Sequence, residues 1–206
     1  MGILSFNEYN TFQETNLLVV DVQKSFSDFF TPLYLSKVTE YCSDFTNVYQ
    51  IWDNHIDGHG VDKDFLYDDK PDVPVHGDLY VFPNQKLLIE KRYNYGVDAD
   101  FYKTILEERT YQEIKEKEKT QTLRKGDLYL TTKGTCIVFV GNHHQWFHIG
   151  KKMLDFFNSF KGKHMTIIGG SDSECLDDIY TAAESVGVLI KRDWKYIYTA
   201  VNCPIK

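Results

Sequence analysis

The chain has 206 residues, 42% of them hydrophobic and 15% aromatic, enough to bury one full core and too few for two well-buried domains. Its 23 Lys and Arg against 30 Asp and Glu leave a net charge of −7, which argues against a broad nucleic-acid surface. Apolar runs such as 17–20 and 136–140 are far too short to span a bilayer, and the N-terminus lacks the basic patch and apolar stretch of a secretion signal.

Cys42, Cys136, Cys175 and Cys203 form no C-x-x-C pair, so neither a zinc knuckle nor a thioredoxin-like site is expected. A large aromatic core needs no disulfide staple, which predicts free thiols in a reducing, cytoplasmic setting.

The first element is the continuous apolar run 17–20, ended by Asp21. Such a run predicts a strand buried on both faces, and a carboxylate at its end belongs at a sheet edge where loops gather. Residues 36–49 carry apolar side chains at three- and four-residue intervals, predicting a helix. A short strand, 49–52, then ends in Asp53-Asn54-His55. The stretch 56–83 is rich in Asp, Gly and Pro and reads as a long ordered loop.

Leu87-Leu88-Ile89 leads into Glu90-Lys91 as a third strand. Residues 98–119 predict one helix whose second half is a solvated charged surface. Residues 127–131 and 135–140 are further strand candidates. The last third predicts a helix lined by Ile149, Met153, Leu154, Phe157 and Phe160, a strand at 164–168, and a glycine turn leading to a helix from Cys175. Two later strands are expected at 188–190 and 196–201, with Lys191-Arg192-Asp193 reaching solvent between them. Strands alternating with helices predict a three-layer α/β/α domain with a mainly parallel sheet.

Cys175 follows a strand and a glycine-rich turn, which places its thiol in the first turn of a helix, where free N–H groups favour a thiolate. Ser171 and Glu174 have capping-box spacing, which would start the helix at Ser171; Ser173 is the alternative cap. Asp172 and Glu174 oppose thiolate formation if they point inward, so a cation is needed nearby. Asp21, Lys91 and Cys175 each end or follow a strand. In a parallel sheet those ends share one edge, so an acid, a cation and a nucleophile can converge in one crevice. The bland alternatives are a strand-end cap for Asp21, surface charge for Lys91 and an ordinary buried thiol for Cys175. Lys133 is a rival cation. Tyr93, Tyr95 and Trp52 are candidates for an aromatic wall around a flat substrate or for plain core.

With these motifs in view, the sequence resembles the isochorismatase-like cysteine hydrolases, most closely their nicotinamidase branch. The residues that carry the likeness are 17–26 with Asp21 and Gln23, 88–93 with Lys91, and 169–175 with Cys175 followed by Leu176 and Ala182-Ala183. The resemblance implies the isochorismatase-like hydrolase fold and a catalytic set of Asp21, Lys91 and Cys175. It also implies a metal motif in Asp53 and His55, and Pro74-Val75-His76 resembles the segment that supplies another histidine ligand. Zn²⁺ or another divalent ion would suit such ligands, with His59 as a backup and no organic cofactor expected. The substrate implied is a small amide, hydrolysed through a thioester.

Departures from the family pattern are Asn54 for an aromatic, Asp172 for a Thr, Gly170 for a larger residue, and an insertion at about 98–133 that would reshape the pocket rim or an oligomer contact. A single domain over 1–206 is expected, free of membrane and nucleic acid. Homo-oligomers are common in this fold. The alternative function is a catalytically inactive subunit that binds a small molecule or a protein.

Overall fold

A run of apolar residues without alternation must be covered on both faces, and the chain achieves this with a wholly parallel sheet. In the computed structural model, residues 15–53, 78–91, 99–141 and 145–205 are described, apart from the side chains of 88, 90 and 91. Strands β1 (Asn16–Val20), β2 (Asn47–Asp53), β3 (Gln85–Lys91), β7 (His164–Gly169) and β8 (Leu189–Ile197) lie in the order β3-β2-β1-β7-β8. Every neighbouring pair is parallel. One face packs on α1 (Pro32–Cys42), with Leu17, Val19 and Ile168 meeting Tyr34, Val38 and Cys42. The other packs on α4 (Lys151–Ser159) and α5 (Cys175–Val186), with Leu18, Val20 and Ile167 meeting Phe157, Ile179 and Ala183. Helices on both faces of a largely parallel sheet make the predicted three-layer α/β/α architecture. Among the described residues, no helix is long and apolar enough to cross a membrane.

The expected 36–49 helix is displaced. Thr31 caps the helix by accepting from the Tyr34 N–H at 3.1 Å, and Pro32 occupies the first helical position, where its missing N–H costs nothing. The chain turns at Ser43, and Val48, read as helical, is a buried residue of β2.

The expected 98–119 helix is broken into α2 (Ala99–Tyr102), a 3₁₀ turn and α3 (Glu108–Lys119). The Ile105 carbonyl accepts from both Thr132 N–H (2.7 Å) and Thr132 Oγ1 (3.1 Å), and Leu106 is extended. Tertiary bonds to Thr132 therefore replace the helical ladder at that point.

Residues 136–138 and 140 are buried as expected and Phe139 is partly so, yet this run does not join the parallel sheet. Strands β4 (Leu128–Leu130), β5 (Cys136–Phe139) and β6 (Trp146–Ile149) form a separate antiparallel sheet. Cys136 and Val138 enter the core under α5, while Ile137 and Trp146 face a second core made with Tyr102, Ile105, Tyr111 and Ile114. Two-sided burial produced a sequence signal indistinguishable from that of a parallel strand. Ile149, read as helical, closes β6.

The two late strands are one nine-residue strand, β8, which among the described residues lies at the edge of the sheet and pairs with β7. Lys191, Arg192 and Asp193 lie within it, because an edge strand can carry charge without burying it fully.

Candidate functional site

The parallel register brings the strand ends together. Val20 pairs with Ile51 on one side and Gly169 on the other, and Asp53 pairs with Lys91. Asp21, Asp53 and the turn leading to Cys175 consequently lie at one end of three adjacent strands, as parallel sheets arrange their crevices. Asp21, Asp53 and Cys175 are all buried, and one ligating atom of each lies within 4.8 Å of those of the other two. The predicted convergence of Asp21 with Cys175 is therefore present. The backbone of Lys91 ends β3 in register with Asp53; its side chain is outside the described atoms.

Asp21 has φ +52°, a left-handed conformation that Asp tolerates better than most residues. Its N–H donates to Ile51 O at 2.9 Å, and its carbonyl accepts from the buried Tyr198 hydroxyl at 2.7 Å. The Tyr198 ring also closes on Gly170, where a Cβ would meet ring atoms at 2.5 Å. With the ring held there, a side chain at position 170 would collide with it unless the ring moved. The Gly170–Ser171 peptide is cis.

Asp53 is held through its backbone by Gln23. The Gln23 side-chain oxygen accepts from Asp53 N–H at 2.9 Å, and its amide nitrogen donates to Asp53 O at 2.8 Å. The same nitrogen reaches Asp78 Oδ2 at 2.7 Å, and Ser25 Oγ donates to that oxygen at 2.9 Å. One fully buried amide thus fixes the end of β2. Gln23→Leu removes both bonds to the Asp53 backbone, each contributing about 0.5–1.5 kcal/mol. We expect a combined loss of about 1–3 kcal/mol, read as a fall in melting temperature of about 2–12 °C; an unchanged melting curve would refute this role.

The helix starts at Cys175, not at Ser171. Glu174 is the N-cap residue and makes no side-chain cap bond, so the expected capping box does not form. Ser171 contributes its carbonyl instead, accepting from Glu174 N–H at 3.2 Å and Leu176 N–H at 3.1 Å. Asp172 N–H donates to Tyr198 O at 2.9 Å. Those three N–H groups are committed to carbonyls, so they are not the oxyanion donors expected of this turn.

The two carboxylates that threatened the thiolate are placed away from that role. Glu174 is exposed. Asp172 accepts from Arg192 at 3.0 Å, and the same guanidinium bonds Asp177 at 2.5 Å. Lys125 pairs with the other Asp177 oxygen at 2.5 Å. Asp177, Arg192 and Lys125 were not foreseen; Asp177 in the first turn of a helix is the one detectable signal, since acids favour that position.

Trp52 is fully buried, which places it in the core instead of on an aromatic wall. Lys133 lies exposed in the β4–β5 turn. His55, His76, His59, Tyr93, Tyr95, His143 and His144 lie outside the described residues.

Two carboxylates and a thiol in a buried cluster are donors that a divalent ion such as zinc accepts. An ion bridging all three would take up the sulfur electron pair that a nucleophile needs. All four cysteines are free and buried. Burial pushes the Cys42 thiol up to about 12 and the Cys136 thiol up to about 11, so neither competes as a thiolate near neutral pH. A buried cysteine beside two acids in this α/β fold is compatible with cysteine-dependent hydrolysis of a small substrate. Searches against family models, curated proteins and solved structures return no match to this chain.

Proposed function

We propose that the chain is an isochorismatase-like cysteine amide hydrolase of nicotinamidase type, with Asp21, Lys91 and Cys175 as its catalytic residues. The observation that carries this reading is the buried proximity of Cys175 and Asp21, within 4.8 Å, at the carboxyl ends of adjacent parallel strands. Asp21 takes the proton from Cys175 Sγ. The sulfur then attacks the amide carbonyl, forming a C–S bond, while backbone N–H groups of the 171–175 turn stabilise the oxyanion. Collapse breaks the C–N bond, and protonated Asp21 gives its proton to the departing ammonia. Water next attacks the thioester and loses a proton to Asp21. The acid leaves as the C–S bond breaks, and Cys175 regains its proton. Lys91 would supply the positive charge that keeps Asp21 and the sulfur ionised.

Asp53, with His55 and His76, would hold a divalent ion that binds the ring nitrogen of a heteroaromatic amide. Cys175 Sγ is left to attack the substrate in this scheme and is not counted among the ligands of the ion.

A second reading rests on the proximity of Asp53 itself. A second carboxylate near the thiol opposes ionisation of the sulfur, which suits a non-hydrolytic subunit that binds a small molecule or a protein. Rapid-quench mass spectrometry during turnover of nicotinamide and a panel of small primary amides separates the two. The expected result is an acyl adduct on the peptide carrying Cys175. Absence of both adduct and ammonia release across the panel would favour the binding subunit.

A further inference from the structure

The start of α5 lacks the usual side-chain cap, and Ser173 just before it is left-handed, with φ +66°. Backbone of this kind persists only where surrounding contacts over-determine it. Arg192 supplies such contacts. One guanidinium bonds Asp172, three residues before Cys175, and Asp177, two residues after it. The guanidinium is itself held over the Tyr180 ring at 4.3 Å and near the Trp194 ring at 5.3 Å. Lys125 fixes the second oxygen of Asp177.

Resting on the reading of Cys175 as the nucleophile, we infer that Arg192 is a positioning residue, a staple from β8 that spans the nucleophile and sets where its sulfur stands. Bidentate bridging of two carboxylates requires the planar fork of arginine; a lysine ammonium can favour one carboxylate but cannot span both in the same geometry. The four charged groups line a cleft of about 490 Å³, so water can reach Asp172 and Asp177 when the guanidinium is removed. The protein is therefore expected to stay folded without it.

The test compares wild type, Arg192→Gln and Arg192→Lys, each verified as folded by circular dichroism. Two readouts are taken: the iodoacetamide labelling rate of Cys175, resolved by peptide mass, and kcat and KM for an amide the wild type hydrolyses. Misplacing a reactive group by about 1 Å can cost on the order of a hundredfold. For Arg192→Gln we expect labelling and kcat to change together, kcat falling about 10- to 100-fold, with KM nearly unchanged. Arg192→Lys should recover only part of the loss. Wild-type labelling rate and kcat in folded Arg192→Gln would overturn the inference, as would full recovery by lysine. If Arg192→Gln does not fold, Arg192→Lys carries the comparison, and wild-type values there overturn it. Labelling needs no substrate, so a wild type that labels at Cys175 yet hydrolyses no amide would sink the hydrolase reading alone.

Discussion

Cys175→Ala is expected to abolish amide hydrolysis while leaving the fold intact. The side chain is buried at the first position of α5 and is a small one, so its truncation leaves little cavity, whereas the covalent route loses its only nucleophile. The fall in kcat/KM should be at least about a thousandfold, on the scale of removing a nucleophile from a catalytic unit. Asp21→Asn should cost about 10²- to 10⁴-fold, the usual range for a lost general base. Because the two groups act as a unit, the double variant should be no slower than Cys175→Ala alone. Steady-state ammonia release measures all three. If Cys175→Ala retains wild-type activity, no thioester lies on the pathway. If the losses multiply, Asp21 works on something other than the sulfur.

Gly169→Ala is expected to have the largest effect on stability of any single methyl group near the site. Gly169 sits at φ +105°, and a Cβ there would lie 2.0 Å from Val20 O and 2.9 Å from Val20 N. Both are backbone atoms of the neighbouring strand in the register that places Asp21, so no flexible side chain can yield. Left-handed strain costs about 1–3 kcal/mol, and forcing apart two central strands takes the total beyond about 4 kcal/mol. A melting temperature lowered by about 10 °C or more, or insoluble protein, should result. Gly134→Ala is the control: φ is +74°, but nothing lies within 4 Å of the added carbon, so only the backbone term of about 1–3 kcal/mol remains. Equal melting temperatures for the two variants would refute the steric argument.

Local chemistry made some of the site legible in the sequence. Asp21 stood out because a carboxylate ended an apolar run, and Cys175 because it followed a glycine turn. Both signals lie within a few residues of the group concerned. Asp53 in the same cluster was not legible, since its proximity to the thiol depends on the pairing of β1 with β2 and on the Gln23 amide, thirty residues away. Arg192 was hidden for a related reason. In Lys191-Arg192-Asp193, the charge run suggests solvent, and the ion pairs of one of its members with Asp172 and Asp177 depend on the pairing of β8 with β7 far along the chain. The separate antiparallel sheet was missed because burial between two cores writes the same apolar run as burial in a parallel sheet.

The pairing of β1 with β2 and β7 has a consequence for how this chain stores its chemistry. Side chains on a strand alternate between opposite faces, so a one-residue slip of β2 would turn Asp53 toward the wrong layer, and a slip of β1 would displace Asp21 at its end, while leaving the apolar content almost unchanged. Two chains of nearly identical composition, differing by a single deletion inside 16–20 or 47–52, would share the greasy interior and lack the reactive corner. Strand length, counted in whole residues, is the part of the message that cannot be paraphrased.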